Sequence, residues 1–176
     1  MQVFWIFIVL LMGQRLVELA IAKRNEKWMK DRGAKEVGAE HYKFIVALHV
    51  LFFISLIIEV AIFGSRPADW WAVPFLIFMG SQVLRFWALI SLGKHWNTKI
   101  IVLPGAEVVV RGPYRFIRHP NYLIVAIEIF TVPVLFQAYV TAVLFSILNA
   151  IVLLGVRIPK EAQALKEMTN SKDFSR

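Results

Sequence analysis

The sequence contains no cysteine, which excludes a disulfide framework, a thiolate nucleophile and any cysteine-based metal site. Acid is scarce: 12 Asp and Glu stand against 20 Lys and Arg, a net charge of +8 over 176 residues. There is no Gly-rich dinucleotide fingerprint, no cluster with metal-ligand spacing, no internal repeat and no low-complexity linker, so a single domain over 1–176 with no metal is expected. The N-terminus has neither a basic n-region nor a small-residue cleavage site, and no removable signal peptide is expected.

Apolar residues are abundant. They make up 59% of the chain, above the ~45–50% of an average globular domain. The excess falls into blocks long enough to cross a bilayer, which takes about 20 apolar residues as a helix. Lipid cannot satisfy backbone amides, so such blocks must be helices. Five spans are expected, at about 3–22, 44–63, 70–92, 122–136 and 139–156. The last two are short and nearly continuous and read as a tight helical hairpin turning at Gln137 and Ala138. The fold class is an all-α polytopic membrane protein. Gly13 in span 1 is not part of a small-xxx-small pattern that would argue a dimer.

A basic pI of about 10.0 can signal nucleic-acid binding. Here the cations cluster between the apolar blocks, in 23–43, in 93–121 and in the tail from Arg157, whereas the loop near 64–69 has only Arg66, offset by Asp69. All basic segments therefore fall on one side, which by the Lys/Arg bias is cytoplasmic. The expected orientation is N-terminus outside and C-terminus inside, with no nucleic-acid partner.

Ionisable groups in a bilayer are expensive and usually face a protein interior or a wet cavity. Span 1 holds Arg15 and Glu18, span 2 His49, span 3 Gln82 and Arg85, span 4 Glu128 and span 5 Asn149. Each lies some four to ten residues from the cytoplasmic end of its span, a depth on the order of 6–15 Å at 1.5 Å per residue. Only Glu59 breaks the pattern, near the outer end of span 2. Two readings are open: structural pairing, Arg15 with Glu18 at i, i+3 and Arg85 with Glu128, or a shallow cytoplasmic pocket in which Arg85 and Glu128 contact substrate.

The stretch 93–122 is too polar to span. Pro104-Gly105 marks a turn, 108–110 reads as a short extended run, and Gly112-Pro113 makes a second turn presenting Tyr114. Arg118-His119-Pro120-Asn121-Tyr122 leads into span 4, with Asn121 as the expected N-cap. A helix N-terminus beside Arg118 and His119 suits an anionic carboxylate or phosphate. The alternative is an interfacial loop with snorkelling arginines and an aromatic belt. Beyond the hairpin, Arg157 and Glu161 stand at i, i+4 and share a face if the helix continues through Pro159; alternatively a fresh helix starts there. Arg157 can bind an anionic oxygen, or the two can form a plain surface ion pair.

Taken together, Gly112-Pro113-Tyr114, Arg118-His119-Pro120-Asn121-Tyr122 and Arg157-Ile158-Pro159-Lys160-Glu161, with the hairpin between them, resemble the isoprenylcysteine carboxyl methyltransferase family of membrane methyltransferases. The resemblance covers about 93–165, the expected catalytic core. Within that family the runs QRLVELAIAKRNEKWMK, SLGKHWNTKI, VLPGAEVV and RIPKE are similar to a bacterial branch that methylates alkylpyrones, which implies a bacterial plasma membrane.

The resemblance implies S-adenosylmethionine as methyl donor, held by Lys99, Val108, Val109, Tyr114, Arg118, His119, Asn121, Tyr122 and Glu161, with Glu161 at its amino end. It implies that Arg157 holds and polarises the oxygen of a lipophilic acceptor entering from the bilayer, so that Arg157 and Glu161 are the catalytic pair. Ala162 departs from the family, which usually has a second acid there. The implied function is an integral membrane O-methyltransferase acting on an alkylpyrone or other polyketide hydroxyl. Alternatives are a prenylcysteine-type carboxyl methyltransferase, an NADPH-dependent lipid reductase of similar fold, and a non-catalytic lipid-binding module.

Overall fold

A computed structural model describes residues 1–64, 66–107 and 109–168. Four helices are long and apolar enough to cross a membrane: Gln2–Lys30, Ala39–Phe63, Ala72–His95 and the continuous helical run Tyr139–Met168. A fifth apolar helix, Pro120–Leu135, is shorter. In chain order the elements are α1 (Gln2–Lys30), β1 (Lys35–Val37), α2 (Ala39–Phe63), α3 (Ala72–Leu92), β2 (Ile100–Val102), α4 (Pro120–Leu135), α5 (Tyr139–Val152) and α6 (Ile158–Met168). The protein is an all-α polytopic membrane protein with a C-terminal helical hairpin, as the sequence leads one to expect. At 16 residues, α4 is about 24 Å long, short of the ~30 Å hydrocarbon core.

The α4–α5 turn is tight. Gln137 takes φ 59, the one positive value for a non-glycine among the described residues, and its side chain donates to the Arg66 carbonyl at 3.0 Å. At this end of the bundle the core is apolar: Phe4, Ile8 and Leu11 of α1 meet Phe52, Leu56 and Val60 of α2, Phe78 of α3, Val132 and Leu135 of α4 and Phe145 of α5. Phe136 packs edge-on against Phe4 with ring centres 5.0 Å apart.

Glu59 finds its role here. Its carboxylate accepts the backbone N–H of Val140 at 3.0 Å and of Thr141 at 2.7 Å, and the Thr141 hydroxyl at 2.6 Å. It caps the start of α5 from another helix, satisfying N–H groups that a helix cannot satisfy itself, at the positive end of the dipole. Glu59→Ala is therefore expected to cost roughly 1.5–3 kcal/mol, with Glu59→Gln keeping part of it; unfolding in detergent micelles measures both.

At the opposite end, called here the motif end, α1 runs on past its apolar stretch and the chain builds a small platform. β1 pairs antiparallel with β2 in the register Lys35↔Val102, Glu36↔Ile101, Val37↔Ile100. Ile100 and Val102 bury their side chains against Ala164 of α6, with Val37, Leu165 and Met168 alongside. The expected extended run at 108–110 is not the strand: Val109 and Val110 are irregular, and Val108 lies outside the described residues. The Pro104-Gly105 turn is tied down, since the Gly105 N–H donates to the Met168 carbonyl at 3.0 Å.

Candidate active site

The polar segment before α4 is shaped by Gly112. Its φ of +59 favours glycine, and a Cβ there would lie 1.9 Å from Ser91 Oγ. The missing side chain lets Gly112–Arg115 form a 3-10 turn directly against the end of α3, with Arg111 Nε donating to the Ser91 carbonyl at 2.9 Å. The turn presents Tyr114, whose hydroxyl receives Asn121 Nδ2 at 3.1 Å. Burial, and after it the charge of Glu161, push the Tyr114 phenol up from its ordinary pKa, so it stays neutral.

Asn121 is not the N-cap. Pro120 occupies the first turn of α4, where its fixed φ and missing N–H are tolerated, and His119 takes the N-cap position without a side-chain cap bond. Asn121 is thereby freed to reach Tyr114, and its Oδ1 is left buried with no partner. One position on, Tyr122 points at the hairpin's other helix.

That helix does not restart at Pro159. Between α5 and α6 lies a single stretch of π-helix, Leu153–Arg157. A proline ring clashes with the carbonyl four residues earlier in a regular helix, here that of Gly155. Widening the turn absorbs the clash, and such π-bulges are common at functional sites. Arg157 ends the widened turn and is 7% exposed. Its Nε donates to the Tyr122 hydroxyl at 2.9 Å and its Nη2 to the Thr98 carbonyl at 2.7 Å. The Tyr122 hydroxyl in turn donates to Glu161 Oε2. His119 stacks on the Tyr122 ring at 5.3 Å and holds Nδ1 3.7 Å from the same carboxylate oxygen. Arg157 and Glu161 thus meet through Tyr122 rather than as a plain surface pair, and both motif groups converge on one phenol.

Tyr122 also lines a cavity of about 430 Å³ between α4 and α5, within the range of small-molecule sites. Arg118 and His119 stand at its polar mouth, and Leu123, Ala126, Ala150 and Leu153 line its apolar length. Exposed Leu123 and Leu154 border it, so the cavity opens on an exposed, apolar side of the two helices.

The intramembrane ions form a separate cluster. Arg85 and Arg15 both donate to Glu128 and both to Glu18; the Arg15 bonds are 2.5 and 2.6 Å. Gln82 donates to Glu128 at 2.5 Å, and Gln14 links Glu18 to Gln82 at 2.9 and 2.8 Å. Two guanidiniums and two carboxylates neutralise one another across α1, α3 and α4. Both expected pairs are present. Arg85 and Glu128 are buried at 6% and are not among the residues lining the α4–α5 cavity. His49 bonds the Ile45 carbonyl of its own helix at 2.7 Å.

Lys99 bonds Glu26 at 2.9 Å and Glu36 at 3.4 Å, which stitches the end of α1 to the strand platform. The Glu26 hydrogen bond, seconded by that of Glu36, holds the Lys99 ammonium above its ordinary pKa. Val109 is half-buried in the irregular stretch ahead of the 3-10 turn. Thr98 and Tyr42, which bonds Thr98 Oγ1 at 3.2 Å, join the site without a motif to mark them. Thr98 acts through its main-chain carbonyl, for which side-chain identity gives no signal.

Residues 72–167 match the isoprenylcysteine carboxyl methyltransferase (ICMT) family, a region holding α3 to α5, nearly all of α6 and every residue converging on Tyr122. A protein of Bacillus subtilis (strain 168) described as uncharacterized protein YpbQ is 50% identical over 164 residues, 93% of this chain and 97% of its own length. An uncharacterized protein of Haemophilus influenzae (strain ATCC 51907 / DSM 11121 / KW20 / Rd) is 26% identical over 155 residues, 88% of this chain and 90% of its own. The chain belongs to the isoprenylcysteine carboxyl methyltransferase family of membrane methyltransferases.

Proposed function

We propose that this chain transfers a methyl group from S-adenosylmethionine to an oxygen of a lipophilic acceptor that reaches the site from the bilayer. The observation that carries the reading is the Tyr122 hydroxyl, bonded to both Arg157 and Glu161 at the mouth of an apolar, laterally open cavity. The cytoplasmic side of a bacterial plasma membrane is the side we assign to the motif end, from the Lys/Arg bias.

The residues present fit the donor. Its amino-acid end is a zwitterion and needs an acid beside a base. Glu161 would take the ammonium, and Arg118 and His119, beside the α4 N-terminus, the carboxylate. Asn121 Oδ1 is a buried acceptor with no partner in the protein and offers a hydrogen bond to a donor group of the ligand. Tyr114 is held neutral beside it. Bound there, S-adenosylmethionine supplies an electrophilic methyl on a sulfonium. Arg157, pinned by Tyr122 and Thr98, would hold the acceptor oxygen and stabilise its negative charge. Fixing both reactants in line can itself supply much of the rate enhancement. The acceptor class we propose is an acidic hydroxyl, such as the enol of an alkylpyrone; such a group ionises readily, and no strong base is needed.

Membranes carrying the chain are expected to transfer labelled methyl from S-adenosylmethionine to a long-chain pyrone, phenol or carboxylate, and the acceptor preference is read directly. Calorimetry on purified protein is expected to show binding of S-adenosylmethionine and none of NADPH. Binding of NADPH alone would replace this reading with a reductase.

A further inference from the structure

The α4–α5 cavity contains two polar side chains that the rest of the protein does not use. Asn149 lines it and is 4% exposed, and none of the side-chain hydrogen bonds among the described residues involves its carboxamide. Ser146, one turn earlier on the same face, also lines it, and its Oγ is buried without a partner. Among the described residues the other fully buried side-chain atoms left unmatched are Asn121 Oδ1 and Trp96 Nε1, both outside this wall of the cavity. Ser55 bonds Thr141, Ser81 and Thr131 bond carbonyls of their own helices, and the Arg–Glu cluster closes on itself. Buried polar groups in native proteins are paired with rare exceptions, and the orphaned Ser146 hydroxyl, with the Asn149 amide one turn along the same wall, is aimed at something the protein itself does not contain.

We propose that Ser146 and Asn149 form a neutral hydrogen-bonding subsite for a second oxygen of the acceptor, a carbonyl or hydroxyl carried on an otherwise apolar molecule. The partner is neutral because Arg118, the charged residue of the lining, sits at the mouth, while the wall around the pair is Ala126, Ala150 and Leu153. Serine and asparagine each donate and accept, so a carbonyl oxygen or a hydroxyl satisfies them both. The ligand is elongated: Asn149 lies eight residues before Arg157, about 12 Å along the helix axis at 1.5 Å per residue, a gap that the two side chains shorten. Calling the ligand the acceptor rests on the methyltransferase reading; the subsite itself does not.

The test pairs two probes, dodecyl 4-hydroxybenzoate, whose ester carbonyl follows the phenol, and 4-dodecylphenol, which lacks it. Their affinities are measured by calorimetry on the purified wild-type chain, Asn149→Leu and Ser146→Ala. Wild type is expected to favour the ester by about tenfold, the worth of one good hydrogen bond to one or two donors. Asn149→Leu should bring the ratio to within about twofold of unity while 4-dodecylphenol binds as before. Thermal stability of Asn149→Leu should hold or rise, since an unpaired amide is replaced by an apolar side chain. An equal ratio in wild type, or a preference surviving both substitutions, overturns the subsite. If Asn149→Leu does not fold, Ser146→Ala alone decides, with an expected two- to fivefold fall in the ratio and an unchanged ratio as the overturning result. Methyl transfer is assayed separately. A binding preference that collapses with no methyl transfer keeps the subsite and removes the methyltransferase reading; transfer with the preference intact in both variants does the reverse.

Discussion

Arg157→Ala is expected to lower kcat/KM for methyl transfer by about 10²–10³-fold, the usual loss when a donor aimed at developing oxygen charge is removed from a water-poor site. The fall should lie mainly in kcat, because the guanidinium contributes most when the oxygen carries its charge. Arg157→Lys should lose nearly as much. The side chain is held by two different nitrogens, Nε on Tyr122 and Nη2 on the Thr98 carbonyl, and an ammonium cannot reproduce that fork. Both variants leave the Tyr122 hydroxyl with Glu161, so S-adenosylmethionine affinity should change little, and calorimetry on the same preparations reads it. Activity within a few-fold of wild type in Arg157→Ala would remove this residue from the mechanism.

How far the site was legible follows from which physics wrote it. The depth of Arg15, Glu18, Arg85 and Glu128 was readable because unpaired charge is costly in lipid, so ions at matching depth on neighbouring helices have to pair, and they do. Gln14 carries the same signal one residue before Arg15. The convergence of the two motif groups was expected from the hairpin between them. Their junction was not, because a phenol bridging Arg157 to Glu161 depends on Tyr122 facing α6. Asn121 illustrates competition: asparagine favours the N-cap, but the preceding proline claims the first helical turn and displaces it inward. Pro159 illustrates another, since its break is absorbed by a π-turn over Gly155 instead of ending the helix. The strand at 100–102 is three residues long and owes its existence to α6 packing on it, a contact between segments some sixty residues apart in sequence. Lys99 likewise went to Glu26 and Glu36, remote acids whose approach only the folded platform brings about.

The Arg–Glu cluster carries the largest expected effect on stability. Glu128→Ala should destabilise the protein by about 3–5 kcal/mol, because breaking a buried ion pair on one side strands the opposite charge. In this cluster it leaves Arg15 and Arg85 sharing Glu18 alone, one positive charge in excess inside the bundle. Arg85→Met should cost a similar amount for the mirror-image reason, with Glu18 and Glu128 left to share Arg15. Removing both ends together, as Arg85→Met with Glu128→Leu, leaves Arg15 with Glu18 as a neutral pair and fills the space with apolar volume. The double variant should therefore be less destabilised than either single one, since apolar replacement of a whole buried pair is often neutral. Unfolding by SDS titration in mixed micelles gives the three values, and neighbours in one network are expected to couple by up to about 3 kcal/mol. Additive losses would mean that each side chain contributes packing alone. α4 carries Glu128 and Tyr122 on one rigid helix, so the cluster also sets the height at which Tyr122 meets Arg157. The double variant should accordingly fold yet lose methyl transfer, mainly in kcat, and an unchanged kcat would show that Tyr122 keeps its height without the cluster.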